Sequence, residues 1–162
     1  MTEQREECIR YIEKWVSVLP DDIQDVLDIG IAGDVKPGGN YYLFKDKNYK
    51  TMDVDNRYNP DYNVDLTKVK DMPEFDVVIC SNTIEHIFNL HAALSGCMKL
   101  LKKGGHLIID CPWMYHYHPD DDFDDYWRIS SKAMQKMLEM AGFKDIVTIQ
   151  GKYCVSALAK KI

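Results

Sequence analysis

Val26-Leu27-Asp28-Ile29-Gly30-Ile31-Ala32-Gly33 decides how this chain folds. An apolar run that ends in a carboxylate and passes into glycine and alanine reads as a strand whose following loop lets backbone approach a ligand. Residues with little or no Cβ leave room for that approach. Asp53 closes the next apolar run. It stands near the spacing at which nucleotide-binding α/β domains place a carboxylate on a ribose.

The rest of the chain alternates strand and helix patterns around this stretch. Upstream, Cys8, Ile12, Trp15 and Leu19 recur at helical spacing until Pro20, which predicts an opening helix within residues 1–20. Asp25 to Ile29 reads as the first strand, Tyr49 to Val54 as the second and Tyr62 to Leu66 as a short third. Phe75 to Cys80 and His106 to Cys111 are continuous apolar runs, the pattern of strands covered on both faces. Ile87 to Leu101 predicts a helix ended by Gly104-Gly105, and Ser130 to Ala141 a helix capped by serine and closed by Gly142. Phe143 to Ile149 and Tyr153 to Ala159 predict two closing strands joined by a turn at Gln150-Gly151-Lys152. The fold class expected is α/β: a doubly wound, mainly parallel sheet with helices on both faces and an antiparallel C-terminal strand pair. Residues 1–162 read as a single domain, with 113–128 an irregular aromatic and acidic segment overhanging one end of the sheet.

Bulk properties narrow the partners. A formal charge of −6 argues against a broad basic face for nucleic acid. Lys99, Lys102 and Lys103 read as a solvated helix end. Five cysteines with no C-x-x-C spacing read as buried free thiols in a reducing compartment. The polar, acidic N-terminus does not read as a secretory signal, and no apolar run is long enough to span a membrane. Together these predict a cytoplasmic protein.

In this order the motifs resemble those of small class I S-adenosylmethionine-dependent methyltransferases. Residues 26–33 resemble the family's glycine-rich first motif, and Tyr49 to Asp55 its second strand with the ribose-binding acid at Asp53. Asn63-Val64-Asp65-Leu66 is similar to the motif flanking the adenine. Phe75 to Ile87 resembles the fourth strand with its Glu-His turn, and Leu100 to Ile109 the glycine turn before the fifth strand. Asp124-Asp125-Tyr126-Trp127-Arg128 resembles a feature of some small members. The family usually carries glycine where this chain has Ala32 and Asp34, and Pro37-Gly38-Gly39 shortens the helix that normally follows.

The resemblance implies a Rossmann-like methyltransferase fold and S-adenosylmethionine as cofactor. The cofactor-binding residues it implies are Asp28, Gly30, Ala32, Gly33, Asp53, Val54, Asp65, Leu66 and Ser81. Asp53 would take the ribose diol and Asp65 the adenine amine, with Val54 and Leu66 as apolar walls. Asp28 would meet the cofactor's ammonium group or tie loop backbone together. Methyl transfer from a sulfonium needs alignment above all, and a base only where the acceptor must lose a proton. His86, His116 and His118 are the candidates for that base, with Glu85 read as stabilising the start of its helix. Tyr126, Trp127 and Arg128 are candidates to grip substrate, with packing of the segment and an Arg–Asp pair as the rival reading. The run Pro119 to Asp125 reads as a solvated acidic loop, and no metal ligands are assigned. The acceptor expected is a small molecule, with a sugar or glycan precursor suggested by the Asp-Tyr-Trp-Arg feature alone. A non-catalytic binding module and a nicotinamide-dependent oxidoreductase are the alternatives. The second is disfavoured because the full G-x-G-x-x-G pattern is missing.

Overall fold

The computed structural model describes residues 2–31, 39–119 and 123–162. Ala32 and Gly33, assigned to the cofactor from the sequence, lie outside the described residues. Seven strands make one sheet: β1 (Asp25–Ile29), β2 (Asn48–Asp53), β3 (Tyr62–Asn63), β4 (Phe75–Cys80), β5 (Leu101–Pro112), β6 (Lys144–Gln150) and β7 (Cys154–Lys160). Their order is β3-β2-β1-β4-β5-β7-β6. The pairings among β1 to β5 are parallel, and β7 is antiparallel to both β5 and β6. The closing hairpin thus enters the sheet with β7 wedged between β5 and β6. Dinucleotide-binding folds instead continue parallel through the order 3-2-1-4-5-6.

Helices cover both faces, as the strand patterns demand. On β4, Val78 and Cys80 point into the larger core, with Leu94 and Cys97 of α2 (Leu90–Leu100) and Met134 and Leu138 of α3 (Ser131–Met140). Val77 and Ile79 point the other way, onto Ile12 and Trp15 of α1 (Glu3–Val16). All four β4 side chains are fully buried, the reason this run shows no polar alternation. No helix among the described residues is long and apolar enough to cross a membrane.

α1 is held by more than its apolar stripe. Thr2 caps it by accepting from the Arg5 N–H. The Trp15 indole N–H donates to Ser156 Oγ at 2.9 Å, so burial of a polar atom on β7 is compensated. The buried Glu7 carboxylate accepts from three successive backbone N–H groups, Lys152 at 3.1 Å, Tyr153 at 2.7 Å and Cys154 at 2.8 Å. One side chain therefore satisfies the turn between β6 and β7 and ties it to the first helix.

Three sequence expectations need correction. The helix expected from Ile87 starts at Leu90, capped by the Asn89 side chain, and Ile84–His86 forms a separate 3-10 turn before it. Gly104-Gly105 does not end that helix. α2 stops at Leu100, and Leu101 already pairs with Phe75, with a register shift in β5 before His106 joins Val77. The third strand shrinks to Tyr62–Asn63 because Asp65 caps a 3-10 turn at Leu66–Lys68. Lys102 also departs from the solvated reading, since its ammonium pairs with Asp25 at 2.6 Å and Asp76 at 2.9 Å. The five cysteines are free and buried, as expected.

Glu7→Ala leaves three backbone N–H groups without an acceptor, that of Cys154 buried, and is expected to cost about 2 kcal/mol of unfolding free energy, with Glu7→Gln costing less. Urea denaturation measures both, and a loss under about 0.5 kcal/mol for the alanine variant contradicts this role.

Candidate active site

β1 pairs with β2 on one side and β4 on the other, so the winding of the sheet reverses at β1. A crevice opens beyond the carboxyl ends of strands at such a point. Here it is a cavity of about 850 Å³. Gly30 forms its floor with φ +78°, its N–H bonded to the Met52 carbonyl. A Cβ at this position would lie 2.0 Å from Thr83 Oγ1. Thr83 donates to the Ser81 carbonyl at 2.9 Å and lies 3.2 Å from that of Ile29. The turn after β4 is thereby seated on the end of β1.

The acids of the first three strand ends have different surroundings. Asp53 is 7% exposed and lines the cavity. Burial pushes its pKa up, opposed by backbone N–H groups of Asp55, Ile31 and Val54. Asp28 accepts from the Asn40 backbone at 3.3 Å, the Asn40 amide at 3.0 Å and the Tyr49 hydroxyl, so it fastens the loop between β1 and β2. Asp65 accepts from the Thr67 N–H at 2.9 Å and hydroxyl at 2.7 Å, and pairs with Lys68 at 3.0 Å. Burial alone would raise its pKa, but Thr67 and Lys68 hold it below the usual range. The wall beside Asp65 depends on Gly96 of α2, because a Cβ there would fall 2.0 Å from the Leu66 carbonyl.

The opposite wall is the turn after β4. Asn82, in the left-handed region at φ +45°, donates its N–H to Asp110 Oδ1 at 2.9 Å. Asp110 is fully buried on β5, its Oδ2 has no partner, and burial pushes its pKa up to about 7. Gln4 of α1 donates to the Asn82 side chain at 2.6 Å, which carries the first helix to the cavity rim. Glu85 is 0% exposed, and neither carboxylate oxygen has a hydrogen-bond partner among the described residues. Burial raises its pKa well above the ordinary value. It faces the cavity from a 3-10 turn rather than stabilising the start of a helix. His86 Nδ1 lies 2.6 Å from the Asp124 carbonyl, and burial pushes its pKa down.

Residues 113–119 and 123–128 lean on this turn. The Tyr126 N–H donates to the Glu85 carbonyl at 2.8 Å, and the Trp127 indole N–H to the Ile87 carbonyl at 3.1 Å. Arg128 forks onto Asp125, Nη1 to Oδ1 at 2.5 Å and Nη2 to Oδ2 at 2.7 Å. That guanidinium holds the Asp125 carboxyl at about 2. Arg128 also donates to the carbonyls of Tyr115, His116 and Trp127.

Of the cofactor residues expected from the sequence, Asp28, Gly30, Asp53, Val54, Asp65, Leu66 and Ser81 all line the one cavity. His86, His118 and Tyr126 line it too, whereas His116, Trp127 and Arg128 do not. The polar atoms of the last two are taken up by protein, the Trp127 indole by the Ile87 carbonyl and the Arg128 guanidinium by Asp125 and nearby carbonyls, which favours the packing and Arg–Asp reading over substrate grip. Sequence reasoning missed Gln4, Asn82 and Thr83 at the wall. Polar residues next to a strand end were the available signal for Asn82 and Thr83. Gln4 gives none, because its helix meets the cavity only through tertiary packing.

A family model described as a methyltransferase domain matches residues 42–107. Among solved structures, the phosphoethanolamine N-methyltransferase 2 of Haemonchus contortus with S-adenosyl-L-methionine superposes with a TM-score of 0.69 at 14% identity, covering 96% of this chain and 52% of that one. N-methyltransferase NodS of Bradyrhizobium japonicum WM9 with S-adenosyl-L-homocysteine gives 0.66 at 16% identity, covering 97% of this chain and 86% of that one. The CurJ carbon methyltransferase gives 0.69 at 17% identity, covering 94% and 53%. The chain thus spans about half the length of two of these proteins. A comparison of the sequence with curated proteins finds no match. At these identities the likeness is one of fold, shared with these methyltransferases.

Asp110 gives the fold a pH signature. Its carboxyl is raised from 3.8 to about 7 in the folded protein. The folded state therefore holds a proton that the unfolded chain releases, and stability falls as pH rises from about 4 to about 7, then levels. A shift of about 3 units corresponds to roughly 4 kcal/mol. Asp110→Asn is expected to flatten that fall in denaturation curves taken across the interval, and an unchanged slope rules the assignment out.

Proposed function

We propose that this chain transfers a methyl group from S-adenosylmethionine to a small-molecule acceptor. One observation carries the reading. The buried Asp53 carboxylate and the Cβ-free backbone of Gly30 face a single cavity at the reversal point of a methyltransferase-type sheet. A carboxylate at the end of β2 suits a ribose diol, which donates two hydrogen bonds to one acid. Val54 and Leu66 supply apolar contact for the adenine, and the Asp65 carboxylate at the same wall is placed for its amine. The backbone from Gly30 onward, with Ala32 and Gly33, receives the amino-acid end, and Asp28 orders that loop through Asn40. Ser81 lines the same cavity beneath the turn.

The chemistry asks little more of the protein than placement. In-line displacement moves the methyl carbon from sulfur to the acceptor's lone pair, and holding the two in line supplies roughly 7–11 kcal/mol. Residues 113–119 and 123–128 would cover the acceptor side as a lid-like segment, with Tyr126 lining the cavity. His86 and His118 are the imidazoles available there for a proton, and His116 lies off the wall. Proteins of this fold have been seen with phosphomonomethylethanolamine and with 1,6-didemethyltoxoflavin bound beside S-adenosylhomocysteine, which supports the small-molecule class. A sugar or glycan precursor remains the finer reading. With Trp127 and Arg128 spent on bracing, Tyr126 offers it a ring, beside those of Tyr115 and Phe123 on the same cavity.

Calorimetry with S-adenosylmethionine and S-adenosylhomocysteine tests the proposal, and no heat at millimolar ligand rejects it. Asp53→Ala is expected to weaken binding at least tenfold, about 1.4 kcal/mol or more, through loss of the ribose contacts. Equal affinity in that variant removes the ribose assignment.

A further inference from the structure

We propose that Glu85, His86 and His118 form a binding site for one divalent transition-metal ion at the acceptor end of the cavity. A ligand atom from each of the three lies within 4.8 Å of the others. Glu85 Oε1 stands 3.6 Å from His86 Nε2. Ions of this class sit about 2.1 Å from nitrogen and oxygen donors, which sets neighbouring donors roughly 3.0–3.5 Å apart. Closing the cluster on an ion therefore takes side-chain movements of about an ångström.

The surroundings have the form of a second coordination sphere. His86 Nδ1 faces the Asp124 carbonyl, which can only accept, so the ring proton sits on Nδ1 and Nε2 presents a lone pair. His118 Nδ1 is contested. It lies 3.0 Å from an Asp125 carboxylate oxygen, 3.1 Å from the His116 carbonyl and 3.3 Å from Arg128 Nη2. Two acceptors nearer than one donor place the proton on Nδ1 here as well, freeing Nε2. The Arg128 charge is answered by its fork onto Asp125, so the guanidinium leaves less net positive field at the cluster.

Glu85 supplies the independent indication. A fully buried carboxylate with both oxygens unpartnered is costly, and facing a cavity it calls for a cation. Two imidazoles and one carboxylate suit zinc, manganese, iron(II) or cobalt better than magnesium or calcium, which prefer all-oxygen sets. Three protein donors leave coordination positions open to the cavity. Oxygen donors of an acceptor, such as a hydroxyl beside a carbonyl or carboxylate, would fill them. That last step rests on the methyl-transfer reading, whereas the metal site itself does not.

The test is titration of the metal-free protein with Co²⁺ alone at pH 7.5, followed by visible absorption, with S-adenosylhomocysteine binding measured separately by calorimetry. One equivalent of Co²⁺ is expected to bind with a ligand-field band. Glu85→Gln and His118→Ala are each expected to weaken it at least tenfold, while His91→Ala, exposed on α2, leaves it unchanged. Circular dichroism separates loss of the site from loss of the fold. If Glu85→Gln fails to fold, the His118 variant decides. No band at millimolar Co²⁺, or a band that survives both substitutions, overturns the site. Homocysteine-ligand binding without a Co²⁺ band defeats the metal site and leaves the cofactor reading standing. The opposite result does the reverse.

Discussion

The close approach of Thr83 to Gly30 is the constraint on which the cavity depends. A side chain from the turn after β4 occupies the space a Cβ would take at the end of β1. That contact fixes the distance between the two strand ends flanking the reversal of the sheet. It also sets where Ser81, Asn82 and Glu85 face. The left-handed backbone at Asn82 and its bond to Asp110 hold the same turn from below. The floor and one wall of the site are thus a single interlocked unit rather than independent loops.

Charge placement follows a consistent logic around this unit. Where backbone N–H groups end in the interior, a carboxylate meets them. Glu7 closes the final hairpin, Asp76 accepts from Gln24 and Asp25 at the entry to β1, and Asp125 takes the His118 N–H beside its guanidinium partner. Burial of a charge is tolerable when several donors share it. Glu85 and Asp110 break the pattern, because each keeps at least one oxygen without a donor. Glu85 lines the cavity, and Asp110 lies behind its wall, joined to it through the Asn82 N–H.

The sequence carried the sheet clearly because burial on both faces erases polar alternation. Val77, Val78 and Ile79 could belong to nothing else, and β1 and β4 were read to their observed ends. Strand-end acids were equally legible, since position in an α/β sheet follows from chain order. Side-chain bonding partners were not. Nothing local distinguishes Glu7 as the acceptor for a turn far along the chain, nor Arg128 as a brace rather than a substrate ligand. The helix start was misplaced because Ile87-Phe88-Asn89 has acceptable helical composition, while the Asn89 side chain caps the helix at Leu90 and the Ile87 carbonyl is taken by the Trp127 indole.

The Asp125–Arg128 fork gives residues 113–119 and 123–128 an internal frame. Met114, His116 and Tyr117 project from it into solvent and Tyr126 stands at its edge, while the anchors at Glu85 and Ile87 are backbone carbonyls. Main-chain anchors are indifferent to which side chains surround them. Substitutions on the projecting positions can therefore accumulate without loosening the frame, so this rim is where chains of this fold can diverge while keeping an unaltered scaffold.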